Sequence, residues 1–331
     1  MPRGDRARRA FEGQTLNVYN WSNYIAPGLI SEFEALTGAR VQYDNYSTDA
    51  ELEARMTVGD IGYDVIFPSD RTIVPLIKKE LLAEIDRSLL TRLNNLDALF
   101  LNPPYDPGNR FSVPYFWGTM AVGVRQDIVG RTVADFGPLF DKKHAGRITM
   151  LDDAENVVAM AMLHLGYPMN STDEAHLANV RKLLVEQKPL VQAYTSDSYK
   201  EKLIKGDAWV ALGWSGDLLQ AQQENPNIRV FIPESGTMVF TDNIAIPKSA
   251  KNPRLAHEFI NFLLDADVAA RNATFVRGGT PNVAAKSKLS PRLVGDALVY
   301  PSKSVLDKCQ WLLYRDNAVT KVEEVWREVQ Q

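Results

Sequence analysis

The chain has 331 residues, a length that favours two domains over a single hydrophobic core. Its net charge is −4, with Lys and Arg dispersed among Asp and Glu, which excludes the clustered basic face of a nucleic-acid-binding protein. Apolar runs stay well short of the ~20 residues that span a bilayer, so we expect a soluble chain. The one cysteine, Cys309, excludes an internal disulfide and argues against a cysteine-rich metal site.

The N-terminal segment MPRGDRARRAFEGQ is basic and lacks the apolar stretch of ~7–15 residues that a secretory signal contains. We expect residues 1–13 to be a disordered or processed terminus. A signal peptide is therefore not visible in this chain, and export is not read from these residues.

From residue 16 onward, strand patterns alternate with helix patterns. Strands are predicted at LNVYNW (16–21), ARVQYDNY (39–46) and YDVIFPS (63–69). A first helix is predicted to open at Pro27 and stop at Gly38, and further helices to cover 49–60 and 72–82. Short apolar strands separated by amphipathic helices predict a parallel sheet covered on both faces.

A second alternating series follows a Pro- and Asn-rich stretch. The predicted strands are MAVGV (120–124), RITML (147–151), WVALGW (209–214), IRVFIP (228–233) and MVFTDNIAIP (238–247). The predicted helices are VVAMAMLHLG (157–166), residues 175–187, one after SGD (215–217) and one from Pro253. Because two α/β series follow one another, we expect two lobes, with ligand at the carboxyl ends of their strands.

Catalytic signatures are weak. The four histidines are dispersed, without the short spacing of metal ligands. The sequence GWSG (213–216) resembles a nucleophile elbow but lacks the second glycine two residues after the serine. We therefore expect no enzyme activity, no cofactor and no metal.

Aromatic and acidic residues gather at the predicted strand ends. Trp21, Tyr24, Trp214 and Phe240 are candidate walls of a slot, in which Asp217 and Asp242 supply negative charge. An aromatic face attracts an ammonium by ~0.5–2 kcal/mol, and a carboxylate fixes it by a charge-assisted hydrogen bond. The alternative is that the aromatics are core residues and the acids cap helices, with Asp217 a fair N-cap candidate.

The sequence resembles bacterial spermidine- and putrescine-binding proteins, the polyamine-binding proteins of ABC transporters. The resemblance runs in order from about residue 16 to 311 and rests on several segments. They are NVYNWSNYIAPGLISEFEALTGARVQYDNY, YDVIFPS, SVPYFWGTMAVGV, MLDDAENV, VALGWSGD, TDNIAIPKSAKN and INFLLDADVA. The resemblance implies two α/β lobes joined by crossover strands, which close on a polyamine and deliver it to a membrane permease.

Matching the family's ligand contacts residue by residue gives a candidate site. The implied ligand-binding residues are Trp21, Ser22, Tyr24, Ser69, Arg71, Asp153, Trp214, Asp217, Phe240 and Asp242. The sequence WSGD is closer to putrescine binders, because their acid coincides with Asp217.

Other positions depart from the family pattern. Asn23 stands where putrescine binders place an Asp, and Asn156 where the family usually has a Glu. Arg71 occupies a position that is aromatic in spermidine binders. The amine end formed by Asp217 and Asp242 is kept, and acids at the other end are lost.

We therefore expect an α/β protein with the two-lobed, type II periplasmic-binding-protein fold, a hinge and an interlobe cleft. Lobe 1 is expected at 14–119 and 241–286, and lobe 2 at 120–240 and 287–331, with crossing strands near 120–124 and 241–245. We expect a periplasmic or otherwise extracytoplasmic monomer that binds a small cationic amine, and no nucleic acid, and works by hinge closure.

Three functions remain open. The first is import of a polyamine, putrescine more than spermidine. The second keeps the fold but binds an amine with a carboxylate end, similar to an ω-amino acid, met by Arg71. The alternative for Arg71 is that it points into solvent or pairs with a nearby acid. The third is a sensor or an enzyme on the same scaffold.

Overall fold

The computed structural model describes residues 10–59, 61–131 and 134–331, and these form two compact units. Unit 1 contains the described residues up to Trp117 together with Thr241–Val294, and unit 2 contains Gly118–Phe240 and Gly295–Gln331. Both units are thus built from chain segments that are distant in sequence. No helix within the described ranges is long and apolar enough to cross a membrane.

The N-terminal part of unit 1 alternates strands and helices. In chain order its elements are β1 (Thr15–Trp21), α1 (Leu29–Thr37), β2 (Arg40–Tyr46), α2 (Asp49–Thr57), β3 (Val65–Ile66) and α3 (Asp70–Lys78). The first helix begins at Leu29, just after Pro27, and ends at Gly38, whose φ of 77° is the left-handed conformation that favours glycine. The next two helices end at Thr57 and Lys78, earlier than predicted.

Residues 10–13 form a turn, and the Phe11 N–H donates to the Thr37 carbonyl oxygen at 3.1 Å. The rest of the predicted disordered terminus, residues 1–9, lies outside the described residues, and that expectation stays a prediction.

A long strand follows a stretch of short 3₁₀ turns. β4 (Ser112–Arg125) is buried along almost its whole length. The predicted strand at 120–124 therefore starts too late. Pro114 argues against a strand at this point in the sequence, and a strand that is buried on both faces shows no polar–apolar alternation.

Unit 2 then repeats the alternation of strands and helices. In chain order its elements are α4 (Gln126–Val129), β5 (Ile148–Met150), α5 (Ala154–His164), α6 (Glu174–Gln187), β6 (Val191–Tyr194), α7 (Tyr199–Lys205), β7 (Val210–Trp214), α8 (Ser215–Glu224) and β8 (Ile228–Phe231).

The strand β9 (Met238–Ala245) begins in unit 2 and continues into unit 1. It leads to the helices α9 (Pro253–Leu263), α10 (Ala266–Val276), α11 (Val283–Lys286) and α12 (Pro291–Val294). The chain ends in unit 2 with α13 (Lys303–Leu306), β10 (Gln310–Trp311) and α14 (Asp316–Gln330).

Each unit has a mixed sheet. In unit 1, β2, β1 and β3 pair in parallel and β9 pairs antiparallel with β3. In unit 2, β6, β5 and β7 pair in parallel, whereas β4 is antiparallel to both β7 and β8. The parallel sheet predicted for the first series is therefore present in β1, β2 and β3, and β9, which comes from much later in the chain, joins it antiparallel. Parallel pairs need a crossover connection, whereas β4 and β9 run on from one unit into the other.

A separate hydrophobic core fills each unit. In unit 1 the core includes Leu52, Ile66 and Leu76, all fully or almost fully buried. In unit 2, α14 packs against α5 and α6 and adds Val325 and Val329 to the core. These cores fix the strand ends from which the candidate residues project.

Candidate functional site

In unit 1, the end of β1 supplies the first aromatic residue. The Trp21 indole N–H donates to the Phe67 carbonyl oxygen at 2.8 Å, and its ring lies 4.4 Å from that of Tyr46. Ser22 is exposed, and Asn23 takes a positive φ of 57°, which turns the chain towards Tyr24. An Asn tolerates this left-handed conformation better than most residues do.

Tyr24 lies beside the buried carboxyl group of Asp242. The tyrosine hydroxyl donates to Asp242 Oδ2 at 2.5 Å, and Asp242 is 6% exposed. Burial raises the pKa of Asp242 well above its ordinary value, the Tyr24 hydrogen bond opposes this shift, and the charges of Asp49 and Asp70 add to it. The negative charge on Asp242 is thus poorly stabilised by its protein surroundings.

Ser69 and Arg71 converge on a carboxylate that sequence analysis did not select. The Ser69 hydroxyl donates to Asp49 Oδ2 at 3.0 Å, and the Arg71 Nε–H donates to the same oxygen at 3.1 Å. The Arg71 and Asp49 side chains are each 11% exposed. The other oxygen, Asp49 Oδ1, is buried and has no hydrogen-bond partner among the described residues.

Asp70, the first residue of α3, connects this helix to β9 by hydrogen bonding. Its carboxyl oxygens accept the backbone N–H groups of Arg71 at 2.9 Å and Thr241 at 3.2 Å. Burial raises the pKa of Asp70 to about 7, against the lowering effect of these two hydrogen bonds. Unit 1 therefore places three carboxyl groups and the guanidinium of Arg71 near the junction of α3 and β9.

In unit 2, Trp214 and Phe240 form an aromatic pair. Their ring centroids are 4.9 Å apart with an interplanar angle of 69°, an edge-to-face arrangement. Both side chains are partly exposed. Gly118 leaves room for this pair, because a Cβ at that position would lie 2.8 Å from Phe240 Cζ.

Asp217 does not cap its helix. The N-cap of α8 is Trp214, and Asp217 lies in the first turn, where its Oδ2 accepts the Tyr199 hydroxyl at 2.6 Å. The interpretation of Asp217 as an N-cap is therefore wrong. Burial raises the pKa of Asp217, and the Tyr199 hydrogen bond and the charge of Lys200 oppose that shift.

Asp153 is a helix cap. It precedes α5, and its carboxylate accepts the Asn156 backbone N–H at 3.0 Å. Asn156 is itself buried, and Glu155 is partly buried.

The structure thus assigns the candidate residues to separate groups. Unit 1 brings together Tyr24, Ser69, Arg71 and Asp242, and unit 2 brings together Trp214, Asp217 and Phe240. Sequence reasoning missed Asp49, Asp70 and Tyr199. The available signal for Asp70 was its place directly after the strand-end Ser69. Within the described ranges, no group of three or more His, Cys, Asp or Glu residues is arranged to hold a metal ion.

Comparison with known proteins places the chain in a family. Residues 28–297 match the family of bacterial extracellular solute-binding proteins. The spermidine/putrescine-binding periplasmic protein of Salmonella typhimurium is 34% identical over 99% of this chain and 94% of its own length. The putrescine/cadaverine-binding protein of Pseudomonas aeruginosa is 32% identical over 98% of this chain and 95% of its own length.

A solved structure shares the fold over nearly the whole chain. The substrate-binding protein of a spermidine/putrescine ABC transporter from Streptococcus pneumoniae superposes with a TM-score of 0.83 and 30% identity, over 96% of this chain and 98% of that one. The predicted resemblance and the predicted two-lobed α/β fold are thereby confirmed, and the named relatives are binding proteins. The chain belongs to the family of bacterial extracellular solute-binding proteins.

Proposed function

We propose that this chain is the extracytoplasmic solute-binding subunit of an ABC importer and that it captures a polyamine, putrescine more tightly than spermidine. The relatives named above bind putrescine, cadaverine or spermidine, and they match this chain almost from end to end. The proposed location is the periplasm, and the proposed partner is a membrane permease.

Asp242 carries this proposal. Its carboxyl group is buried, and the nearby charges of Asp49 and Asp70 disfavour its ionised form. A ligand ammonium placed beside Asp242 would reverse that penalty and form a charge-assisted hydrogen bond. The Tyr24 hydroxyl already occupies Oδ2, which orients the carboxylate.

The aromatic residues suit the rest of such a ligand. The partly exposed rings of Trp21, Trp214 and Phe240 offer apolar faces for a methylene chain and attract ammonium groups. Asp217 supplies a carboxyl group in unit 2, anchored by Tyr199. A diamine has two ammonium groups, and each unit supplies one such carboxyl group, Asp242 in unit 1 and Asp217 in unit 2.

Hinge closure is the proposed mechanism. Unit 1 and unit 2 would act as the lobes, close to the predicted division at 14–119 with 241–286 and 120–240 with 287–331. Ligand would shift the population towards the closed form, which docks on the permease. The proposal requires one copy of the chain and neither a cofactor nor a metal.

The ion pair of Arg71 favours a diamine over an amine with a carboxylate end. Asp49 lies 3.1 Å from the Arg71 Nε and balances its positive charge. A ligand carboxylate would have to compete with Asp49 for the guanidinium and would also meet the negative charges of Asp70 and Asp242.

Replacing Asp242 tests the proposal. Asp242→Asn should weaken putrescine binding by ~30- to 4,000-fold, because truncating a buried charged contact costs ~2–5 kcal/mol. The measurement is isothermal titration of both proteins with putrescine. An affinity within about threefold of the parent would place the ammonium elsewhere.

Asp64→Asn is the matched control for this variant. Asp64 is also a buried carboxyl group in unit 1, but it accepts the backbone N–H groups of Asn17, Lys251 and Asn252. This substitution should lower the thermal stability while the putrescine affinity stays within about threefold of the parent.

A further inference from the structure

The charged groups of unit 1 indicate how Arg71 affects which ligand binds. Asp49, Asp70 and Asp242 supply three carboxyl groups, and Arg71 supplies a cation that pairs directly with Asp49. The backbone N–H groups of Arg71 and Thr241 satisfy Asp70. Asp242 receives the Tyr24 hydroxyl, which is neutral. Asp242 is therefore the carboxyl group that gains most from an added cation.

The pair between Arg71 and Asp49 is held tightly. Both side chains are 11% exposed, and Ser69 donates a second hydrogen bond to the same Asp49 oxygen. A pair this buried is screened little by solvent, so the guanidinium stays beside Asp49. Asp49 Oδ1 remains buried without a hydrogen-bond partner among the described residues. It is an acceptor that another cation would satisfy if Arg71 were absent.

We infer that Arg71 is a specificity-determining residue, an internal cation that neutralises Asp49 and limits unit 1 to a single ligand ammonium, so that the site selects diamines over triamines. This inference rests on the proposed function. A triamine carries one more ammonium group than a diamine. That group would approach the guanidinium of Arg71, and Asp49 could not neutralise it because Asp49 is already paired with Arg71. Like charges in a partly desolvated site repel strongly.

Changing Arg71 should reverse the selection. In Arg71→Gln, Asp49 becomes an available carboxylate with an unsatisfied oxygen, so spermidine should gain affinity relative to putrescine by about tenfold or more. The measurement is the ratio of the dissociation constants for spermidine and putrescine, obtained by isothermal titration. A general loss of stability would not change this ratio. Arg71→Lys keeps the cation, and its ratio should stay within about threefold of the parent.

Two further variants separate this role from a structural one. Asp49→Asn/Arg71→Gln removes both charges and should lose most of the gain in spermidine selectivity, because no carboxylate is released. Asp49→Asn alone keeps Arg71 and removes the negative charge of Asp49, so it should shift the ratio the other way, by about tenfold towards putrescine. This second variant tests the inference even if Arg71→Gln does not fold.

Different results would contradict the proposed function and the proposed role of Arg71. If the parent protein binds neither polyamine, the proposed function is wrong. If the parent binds putrescine but Arg71→Gln, or Asp49→Asn in its place, leaves the ratio within about threefold of the parent, Arg71 does not set specificity.

Discussion

Asp70 and Asp242 are buried carboxyl groups that keep their protons to a higher pH than an exposed Asp does. For Asp70 the pKa rises from 3.8 to about 7, mainly through burial. For Asp242 the direction is the same, and the neighbouring carboxylates contribute. When no cation is bound, ionising these carboxyl groups is therefore unfavourable. A bound cation would make it favourable, and this is the physical basis of the proposed amine binding.

This shift predicts how Asp70 affects stability at different pH. Because its pKa is raised in the folded state, the folded chain holds a proton that the unfolded chain has lost between about pH 4 and pH 7. Its contribution to the free energy of unfolding therefore falls as pH rises through that window, by at most ~1.4 kcal/mol per pH unit. Asp70→Asn resembles the protonated form and should remove this dependence.

Urea unfolding of parent and Asp70→Asn at about pH 5 and about pH 8 measures the effect. The variant should gain stability relative to the parent at the higher pH. The groups that also act on Asp70 or its neighbour Asp242 are Tyr24, Tyr46, Asp49, Arg71, Tyr105 and Tyr115. An equal stability difference at both pH values would mean that Asp70 does not titrate in this window.

At the level of single residues, sequence reasoning reached Tyr24, Ser69 and Asp242, and the structure groups these side chains in unit 1. Asp49 was not predicted as a site residue, because it forms an ion pair with a residue 22 positions away and no local sequence motif indicates such a pair. Asp217 was open to a capping interpretation, because the helix start was placed after SGD and α8 begins at Ser215.

At the level of elements, the packing of β7 against α7 positions the Asp217 carboxylate. Gly213 in β7 allows this contact, because a Cβ there would lie 2.3 Å from Tyr199 Cε2. The Tyr199 hydroxyl in turn donates to Asp217 and accepts the Trp214 N–H. A glycine inside a strand is thus needed here for close packing.

Gly213→Ala should lower the free energy of unfolding by ~1–3 kcal/mol, because the added methyl group overpacks the contact with Tyr199. In a Tyr199→Leu background the same change should cost clearly less, since the ring that blocks the methyl group is gone. Urea denaturation of the four proteins gives this coupling. An equal cost in both backgrounds would show that Tyr199 is not the obstacle.

Strand and helix positions followed from the sequence where one pattern dominated. β1 and β2 lie within one residue of their predicted bounds, because apolar residues and turn signals frame them. β4 was underestimated and β3 overestimated, since uniformly apolar runs do not mark where pairing starts or stops. The antiparallel partners were missed because strand orientation depends on how the chain returns and not on local pattern.

At the level of the whole molecule, alternating strands and helices predicted the α/β class, and collinear resemblance predicted the family. Both are confirmed by the match to the solute-binding family and by the shared fold. The choice of ligand follows from neither, because it depends on the charges that surround Asp242. Under the inference above, Arg71 and its partner Asp49 set the number of cations that unit 1 accepts.

One titration tests the central claim most directly. The intact chain is titrated calorimetrically with putrescine, spermidine and 5-aminopentanoate, which replaces one ammonium of putrescine by a carboxylate on the same four-carbon chain. We predict saturable binding of one putrescine, weaker binding of spermidine, and an affinity for 5-aminopentanoate lower by about a hundredfold or more, because its carboxylate faces buried acids. Tighter binding of 5-aminopentanoate than of putrescine, or no heat with either polyamine, would contradict the account.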